Sequence, residues 1–531
     1  MIETQNLTLS FAGSILFEDV NVKFVSENCY GLIGANGAGK STFLKILSGE
    51  IEPTKGDVVI EKGKRISVLR QDQFAFDEVK VLDAVLMGHK KLYEVYAERT
   101  RLYAKPDLSD DEGMRVSDLE VQYAEMDGYT IESDAATMLS DLGITVDLHD
   151  RLMKEIDAGL KIRVLLAQAL FGNPDILLLD EPTNQLDYEA VQWLENFLME
   201  FKNTVIVVSH DRHFLNKVCT HIADLDFKQI RIYVGNYDFW SQSSKMAMAQ
   251  KQEQHKKSTD KIKELEEFIR RFSANASKSK QATSRKKLID KIRPEELPVS
   301  TRKTPFIQFK PGRPCGNSIL HVKNVSHSIG GEKLLNDVTF SLNKNDKLAI
   351  LAKNPLAKTT LLQIIAGEIT PDAGTIEWGE TITKAYAPKD NSAYFKNDLT
   401  LLDWITQFRT TEDNQTLRGY LGRMLFSGDD VTKKVKVLSG GEKARAMFSR
   451  MMLNLANVLI FDEPTDHLDL EAITSLNDGL KAFPECIIFT SHDFELTNTV
   501  ANRIIEISPD KKMRDKHTTF EDFIGRKAGV Y

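Results

Sequence analysis

A glycine-rich loop between two apolar segments is the first feature of this chain that could do chemistry. The sequence GANGAGKST occupies residues 34–42, after the strand-like run at 30–33 and before a helix-like run at 43–47. In this setting, backbone amides at a helix N-terminus wrap around phosphates. Lys40 is predicted to reach the terminal phosphates, and Ser41 to ligate magnesium. The candidate contacts in the loop are Gly34, Asn36, Gly37, Ala38, Gly39, Lys40, Ser41 and Thr42.

Two acidic residues follow the apolar run at 176–179, which has the length of a buried parallel strand. Ligands gather at the carboxyl ends of such strands. Asp180 is therefore predicted to hold magnesium through water, and Glu181 to act as general base, with His210 positioning the attacking water. The alternative for Glu181 is a structural ion pair, which the following sequence PTNQLD disfavours.

The chain repeats itself, and the repeat gives the domain organisation. LLLDEPTNQLD at 177–187 returns as LIFDEPTDHLD at 459–469, while LTLSFAGSILFEDV at 7–20 matches VSHSIGGEKLLNDV at 325–338. The two offsets are 282 and 318 residues, so the first half carries 36 extra residues. The 531 residues also exceed what one hydrophobic core accommodates. We therefore expect two α/β domains, at 1–240 and 304–531.

The extra residues of the first half are predicted to form an outward-facing helical arm at about 80–127. The chain should turn near residues 105–107, because Ser109 and Glu112 have the spacing of a capping box for the returning helix. Residues 105–150 contain 13 acidic and 2 basic residues, so most of this region should avoid RNA. The basic residues that could still contact RNA there are Lys90, Lys91, Arg99 and Arg101.

The stretch between the halves, 241–303, is predicted to be a basic helical hairpin. Ile262, Leu265 and Ile269 follow helical spacing, and a second helical stretch ends at Pro294. Residues 245–293 contain 15 basic and 6 acidic side chains, within a chain whose net charge is -8. We expect the tip to face RNA through Lys278, Lys280 and Arg285. A solvated coil that merely joins the domains is the alternative.

Composition excludes several classes of protein. The four cysteines are scattered singly, without the paired spacing of zinc sites, and look like reduced structural thiols. No apolar run approaches the length of a membrane span, and the N-terminus lacks the features of a secretory signal. The net charge of -8 gives no reason to expect binding of nucleic acid, DNA included, over the whole surface, so any such contact must be local. A cytoplasmic protein is therefore expected.

These motifs, taken in order, resemble the ATP-binding cassette superfamily over nearly the whole chain. In that superfamily two cassettes face head to tail, and each ATP lies between one P-loop and the signature of the other cassette. The signature here is LSGGE at 438–442, which implies ATP contacts from Ser439, Gly440, Gly441 and Glu442. The resemblance also implies base stacking by Phe11, and a role for Gln71 in placing magnesium and water.

Tandem cassettes joined by a basic hairpin look like the ABC-F family of ribosome-associated translation ATPases. RFSANASKSKQATSRKKLIDKI at 271–292, LRQDQFAF at 69–76 and SHDRHFLN at 209–216 resemble its YbiT-like branch. The resemblance implies an ATP hydrolase that uses ATP and Mg²⁺, pairs its cassettes within a monomer, and has the ribosome and P-site tRNA as partners. It leaves open which translational state is served.

The two nucleotide sites are predicted to be unequal. In the second P-loop, AKNPLAKTT at 352–360, no glycine remains, and the proline removes an amide donor. Ile329 replaces Phe11, and Pro388 replaces Gln71. Asp157 stands where the first-half signature should have serine, and is expected to face the γ-phosphate of this site. The alternative is that the matching residues still make a working second site; these are Lys358, Thr359, Asp462, Glu463 and His492.

Other classes of function stay open at this stage. The main alternative is the ATP-binding subunit of an ABC transporter with a separate membrane partner, although such subunits normally lack a basic hairpin. A DNA-repair cassette ATPase is disfavoured by the absence of paired cysteines. A largely inactive scaffold is the remaining possibility.

Overall fold

The structure is a computed structural model. It describes residues 1–11, 14–69, 72, 74–184, 186–272, 284, 288–289, 302–409, 412–508 and 513–528. For Phe11 the backbone alone is described. Four predicted site residues lie outside the described residues, namely Gln71, Lys278, Lys280 and Arg285.

A six-stranded sheet forms the centre of the first half. Its strands, in spatial order, are Gln229–Val234, His221–Asp226, Cys29–Gly34, Thr204–Val208, Ile176–Asp180 and Ile66–Val68. All neighbours pair in parallel except the first two, which are antiparallel. The central strands are buried along their length, as expected when helices cover both faces. The P-loop and the acids Asp180 and Glu181 end or follow strands whose carboxyl ends lie at the same edge of the sheet, with Thr204–Val208 between them.

A smaller antiparallel sheet and a set of helices surround this centre. The small sheet contains Ile2–Phe11, Ser14–Val20, Lys23–Phe24 and Lys55–Ile60. The helices are Lys40–Leu47, Val81–Leu86, Lys90–Tyr103, Asp110–Glu125, Ile131–Asp141, Val146–His149, Ala158–Leu170, Tyr188–Glu200 and Arg212–Val218. Short 3-10 turns cover Gly128–Thr130 and Met153–Glu155.

The second half repeats this architecture. Its six-stranded sheet has the order Lys384–Ala387, Val458–Asp462, Cys486–Thr490, Lys347–Ala352, Arg503–Ile507 and Arg514–Lys516. Leu320–Ile329, Glu332–Leu342 and Ala373–Trp378 form its small sheet. The helices are Pro355–Ala366, Leu401–Thr406, Asn414–Arg423, Gly440–Asn454, Leu470–Ala482, Phe494–Val500 and Phe520–Ala528, with 3-10 turns at Ser392–Phe395, Gly428–Thr432 and Val435–Val437. The predicted α/β fold of two tandem cassettes is confirmed.

The extra residues of the first half form a hairpin of two helices, Lys90–Tyr103 and Asp110–Glu125. The predicted capping box is confirmed, since the Ser109 hydroxyl accepts from the Glu112 amide and the Glu112 carboxylate accepts from the Ser109 amide. The hairpin does not face solvent on all sides. Leu102 and Leu119 belong to the core of the first half, whereas Met114 is exposed.

Arg99, one of the basic residues that could contact RNA, is paired within the arm, and an RNA contact by it stays a prediction. Its Nε atom donates to Glu120 at 2.6 Å, and its guanidinium lies 4.5 Å from the centre of the Tyr123 ring. Tyr103 and Tyr129 donate to the same carboxylate. Arg99 therefore holds the two helices of the arm together, and its charge is satisfied within the protein.

A single long helix, Tyr237–Phe272, leaves the first half, and we call it the linker helix. It includes the residues whose helical spacing predicted the first half of the hairpin, so that prediction is confirmed. Its 36 residues extend about 54 Å at 1.5 Å per residue. The predicted tip lies outside the described residues. Among the helices of the described residues, none is both long and apolar enough to cross a membrane.

Candidate functional site

The first P-loop has the backbone that its glycines predict. Gly37 and Gly39 adopt φ values of 78° and 104°, in the left-handed region that side chains disfavour. Gly34 is needed for a different reason, because a Cβ there would lie 2.7 Å from the carbonyl oxygen of Leu225 on the neighbouring strand. Glycine is thus required by the loop at 37 and 39, and by sheet packing at 34.

Lys40 lies at the start of the helix Lys40–Leu47 and is 7% exposed. Its Nζ atom donates to the carbonyl oxygens of Gly34 at 2.9 Å and Ala35 at 3.3 Å. Burial lowers its pKa, although the negative charge of Glu181 acts in the opposite direction. The nearest partners of this ammonium are neutral carbonyls, so an anionic phosphate in the loop would supply a counter-charge.

Asp180 ends its strand beside the P-loop, as predicted. Burial raises the pKa of Asp180, and a hydrogen bond with the Ser41 hydroxyl partly offsets that rise. A P-loop hydroxyl beside this carboxylate is the donor set that magnesium takes in P-loop sites. Ser41 and Asp180 therefore fit a magnesium ion.

Glu181 is held in a strained backbone conformation, with φ at 52°. Its Oε2 atom accepts from the His210 amide at 3.3 Å. Its Oε1 atom lies 3.4 Å from His210 Nε2, yet it is buried without a hydrogen bond among the described residues. Burial, and then the charge of Asp180, raise the pKa of Glu181 to about 8. Burial also lowers the pKa of His210 to about 3, so the imidazole is neutral.

The second half closes this site from the opposite side. The Asn36 side chain donates to the carbonyl oxygen of His467 at 3.3 Å, and a Cβ on Gly441 would lie 3.6 Å from the same amide nitrogen. Ser439 caps the helix Gly440–Asn454 in a capping box with Glu442. A cavity of about 440 Å³ is lined by the P-loop, by Glu181 and His210, and by residues of the second half.

Sequence reasoning missed the residues that the second half contributes to this cavity. They include Thr465, Asp466, His467 and Lys389. The repeated DEPTDHLD segment could have indicated the first three, because head-to-tail pairing brings it toward the other P-loop. No sequence signal pointed to Lys389, whose Nζ atom lies 3.6 Å from Asp466.

The second P-loop has become part of a helix. The helix Pro355–Ala366 begins about one turn earlier than its counterpart at Lys40, and so includes the positions of Gly37 and Gly39. Asn354 caps it by accepting from the Leu356 amide at 2.9 Å, and the Ala357 amide donates to the Asn354 carbonyl. The loop backbone that the glycines form in the first half is therefore replaced by helix here. That this change damages phosphate binding stays a prediction.

The lysine of the second site has a partner that Lys40 lacks. Lys358 donates to Glu463 at 2.8 Å, and their side chains are 6% and 2% exposed. His492 Nε2 lies 3.2 Å from the same carboxylate. Burial raises the pKa of Glu463, but His492 and Lys358 together outweigh burial and hold it below its ordinary value. Thr490 donates to Asp462, with which Thr359 also forms a hydrogen bond.

Asp157 occupies the N-cap position of the helix Ala158–Leu170 without a side-chain cap hydrogen bond, and it is exposed. That it faces a γ-phosphate stays a prediction. Whether the second site retains any affinity for nucleotide also stays a prediction.

Fold and site together define a protein with two ATP-binding cassettes in one chain. A protein-family model described as "ABC transporter" matches residues 17–184 and 335–466, and a second one with the same description matches 223–309. The uncharacterized ABC transporter ATP-binding protein YkpA of Bacillus subtilis is 56% identical over 99% of this chain and 97% of its own length. The probable ATP-binding protein YbiT of Escherichia coli O157:H7 is 48% identical over 99% of both chains.

The chain belongs to the ABC-F-type ATP-binding proteins, in the group that contains YkpA and YbiT. Solved structures share the tandem fold at lower identity. A structure of the archaeal ribosome recycling factor aABCE1 superposes with a TM-score of 0.62 at 19% identity, covering 98% of this chain and 92% of that chain. The structure of RNase-L inhibitor superposes with a TM-score of 0.59 at 18% identity, covering 98% of this chain and 92% of that chain.

We expect substitution of the two buried glutamates, Glu181 and Glu463, to change the stability of the fold in opposite directions. Glu463→Gln leaves Lys358 buried without a counter-charge and should lower the free energy of unfolding by about 3 kcal/mol. Glu181→Gln should instead stabilise the nucleotide-free protein at neutral and alkaline pH. The pKa of Glu181 is about 8 in the folded protein, against a reference value of 4.5. The proton on Glu181 therefore stabilises the folded state at low pH, and this stabilisation is lost as the pH rises through 8.

Denaturant unfolding of both variants at several pH values checks this expectation. The free energy of unfolding of Glu181→Gln should exceed that of the unsubstituted protein, and the difference should grow by about 2 kcal/mol between about pH 6.5 and 8. The loss in Glu463→Gln should be similar across that range. Equal losses of stability in both variants would contradict the difference between a paired Glu463 and an unpaired Glu181.

Proposed function

We propose that the chain hydrolyses ATP at one composite site, between its first P-loop and the signature of the second half. The observation that carries this proposal is the contrast between two buried lysine–glutamate sets. In the first site Lys40 and Glu181 are not paired with each other, and within the described part of the chain Glu181 Oε1 is buried without a hydrogen bond. In the second site Lys358 and Glu463 form a direct ion pair. The first set needs a ligand, while the second is satisfied within the protein.

The residues of the first site have the properties that hydrolysis requires. Lys40 and the amides of the loop at 34–42 bind the phosphates, and the signature N-terminus at Ser439 presents further amides. The pKa of Glu181 is raised to about 8, so its deprotonated form is a stronger base toward the attacking water than an ordinary carboxylate. The backbone amide of His210 donates to that carboxylate, and the neutral imidazole lies beside it. Mg²⁺, held by Ser41 and Asp180, would neutralise phosphate charge.

The proposed partner is the ribosome with P-site tRNA, through the linker between the cassettes. This part rests on the family resemblance and on charge, because residues 245–293 have 15 basic and 6 acidic side chains. The linker helix can present such charge about 54 Å from its first residue. Basic side chains on an extended helix bind RNA through phosphates without reading sequence, which suits a structured RNA.

Replacing the two P-loop lysines should have unequal effects on ATP turnover. Lys40→Ala removes the cation that stabilises transferring phosphate, so we expect kcat to fall by about 10² or more. Lys358→Ala should leave kcat within about threefold of the unsubstituted protein, because Lys358 has a structural role. Steady-state phosphate release from the purified chain measures both.

A matched control separates loss of activity from loss of folding. Lys358→Ala leaves Glu463 without its counter-charge, so the double variant Lys358→Met with Glu463→Gln keeps the pocket neutral. That double variant should also keep near-normal kcat. Equal loss of turnover in the Lys40 and Lys358 variants would contradict a single active site.

Glu181→Gln should trap the ATP-bound form and increase co-sedimentation with ribosomes in ATP. The substitution keeps shape and hydrogen bonding but removes the base, so closed cassettes should accumulate. Glu463→Gln is the matched control and should change sedimentation much less. Unchanged ribosome binding by Glu181→Gln would contradict the ribosome proposal, and recovery with membranes instead would favour a transporter subunit.

A further inference from the structure

Arg302 lies where the chain enters the second cassette after the linker, and its guanidinium contacts three separate elements. It donates to Asp224 in the sheet of the first cassette at 2.6 Å. It lies 4.5 Å from the centre of the Trp240 ring, which belongs to the linker helix. Its Nε atom is 3.5 Å from Glu471, in the first turn of a helix of the second cassette. One side chain thus connects both cassettes with the base of the linker.

The base of the linker helix is fixed on several sides around this arginine. The Trp240 indole donates to Asp224 at 3.2 Å, and its ring lies 5.3 Å from that of Tyr237. Leu470 of the second cassette belongs to the same hydrophobic core as these two aromatic residues. The first turn of the linker helix is therefore packed between the two cassettes.

The helix that carries Glu471 also leads to the proposed ATP site. Asp469 caps this helix, and the loop 465–468 that precedes it lines the cavity beside the first P-loop. The ammonium of Lys40 is attracted by both Asp469 and Glu471. Phosphates bound in the P-loop would compete with Asp469 and Glu471 for the charge of Lys40. Glu471 would then interact mainly with Arg302. One short segment therefore lines the proposed ATP site at one end and contacts Arg302 at the other.

We propose that Arg302 is a positioning residue that couples closure of the cassettes at the ATP site to the direction of the linker helix. The inference rests on the proposed function, since it requires ATP to close the first site. A planar guanidinium suits this task, because it can bond two carboxylates and stack on an aromatic face at once. A purely structural role would anchor the helix without making its direction depend on nucleotide.

Distances between spin labels on the full-length chain separate these roles. Asn196 in the first cassette, Asp478 in the second and Met246 on the linker helix are exposed, and the four native cysteines are buried. Cysteines introduced there can be labelled in pairs and measured with and without a non-hydrolysable ATP analogue and Mg²⁺. Closure is read from the 196–478 pair, and the direction of the linker from the 196–246 pair.

The test variant is Arg302→Met combined with Asp224→Asn, which avoids leaving a buried carboxylate unpaired. We expect the analogue to shorten the 196–478 distance in this variant as in the parent chain. The change in the 196–246 distance should occur in the parent and be lost in the variant. The matched control is Arg503→Met with Asp346→Asn, because this buried pair lies within the second cassette. The control should retain both changes.

Each outcome decides the question. An unaltered 196–246 change in the Arg302 variant would overturn the coupling role while leaving the proposed ATP site standing. No change in the 196–478 distance of the parent chain would overturn the proposed function and the inference with it. If the double variant does not fold, Glu471→Gln is the second test. Because Glu471 also attracts Lys40, this variant should keep the 196–478 change while it removes the ion pair between Arg302 and the second cassette. It should likewise lose the 196–246 change, and retention of that change would overturn the inference.

Discussion

A glutamate buried at the end of a parallel strand needs a counter-charge or a proton, and this constraint governs both halves of the molecule. Glu181 and Glu463 follow equivalent strands, and both have left-handed backbones, with φ at 52° and 47°. Each accepts from the backbone amide of a histidine. Glu463 obtains its counter-charge from Lys358, while Glu181 has no counter-charge within bonding distance among the residues that the structure describes, and its pKa is raised. The protein therefore has one site that needs a ligand and one that does not.

The difference between the halves follows from a few residues in each P-loop. In the first half, the left-handed glycines at 37 and 39 keep the loop open, and its carbonyls hold Lys40. In the second half, Pro355 begins the helix early and Ala357 continues it. There Lys358 donates to Glu463, and not to loop carbonyls as Lys40 does. Loss of the loop and gain of the ion pair are two parts of one change.

Much of this arrangement could be predicted because its signals are local. The P-loop, the two DEPT strands, the repeat and the Ser109 capping box depend on short spacings that the sequence displays. Features that depend on the tertiary fold could not be predicted. Arg99 is basic and lies on a helix, but its partners come from the other helix of the arm. Arg302 and Lys389 likewise contact carboxylates on elements that are distant from them in sequence.

The central claim is that the chain binds one ATP tightly, at the composite site of the first P-loop. Isothermal titration of the full-length protein with a non-hydrolysable ATP analogue and Mg²⁺ tests it most directly. We expect about one tight site per chain, which Lys40→Ala abolishes and the Lys358→Met, Glu463→Gln double variant retains. Two sites of similar affinity in the unsubstituted protein, or loss of binding in the double variant, would contradict the claim.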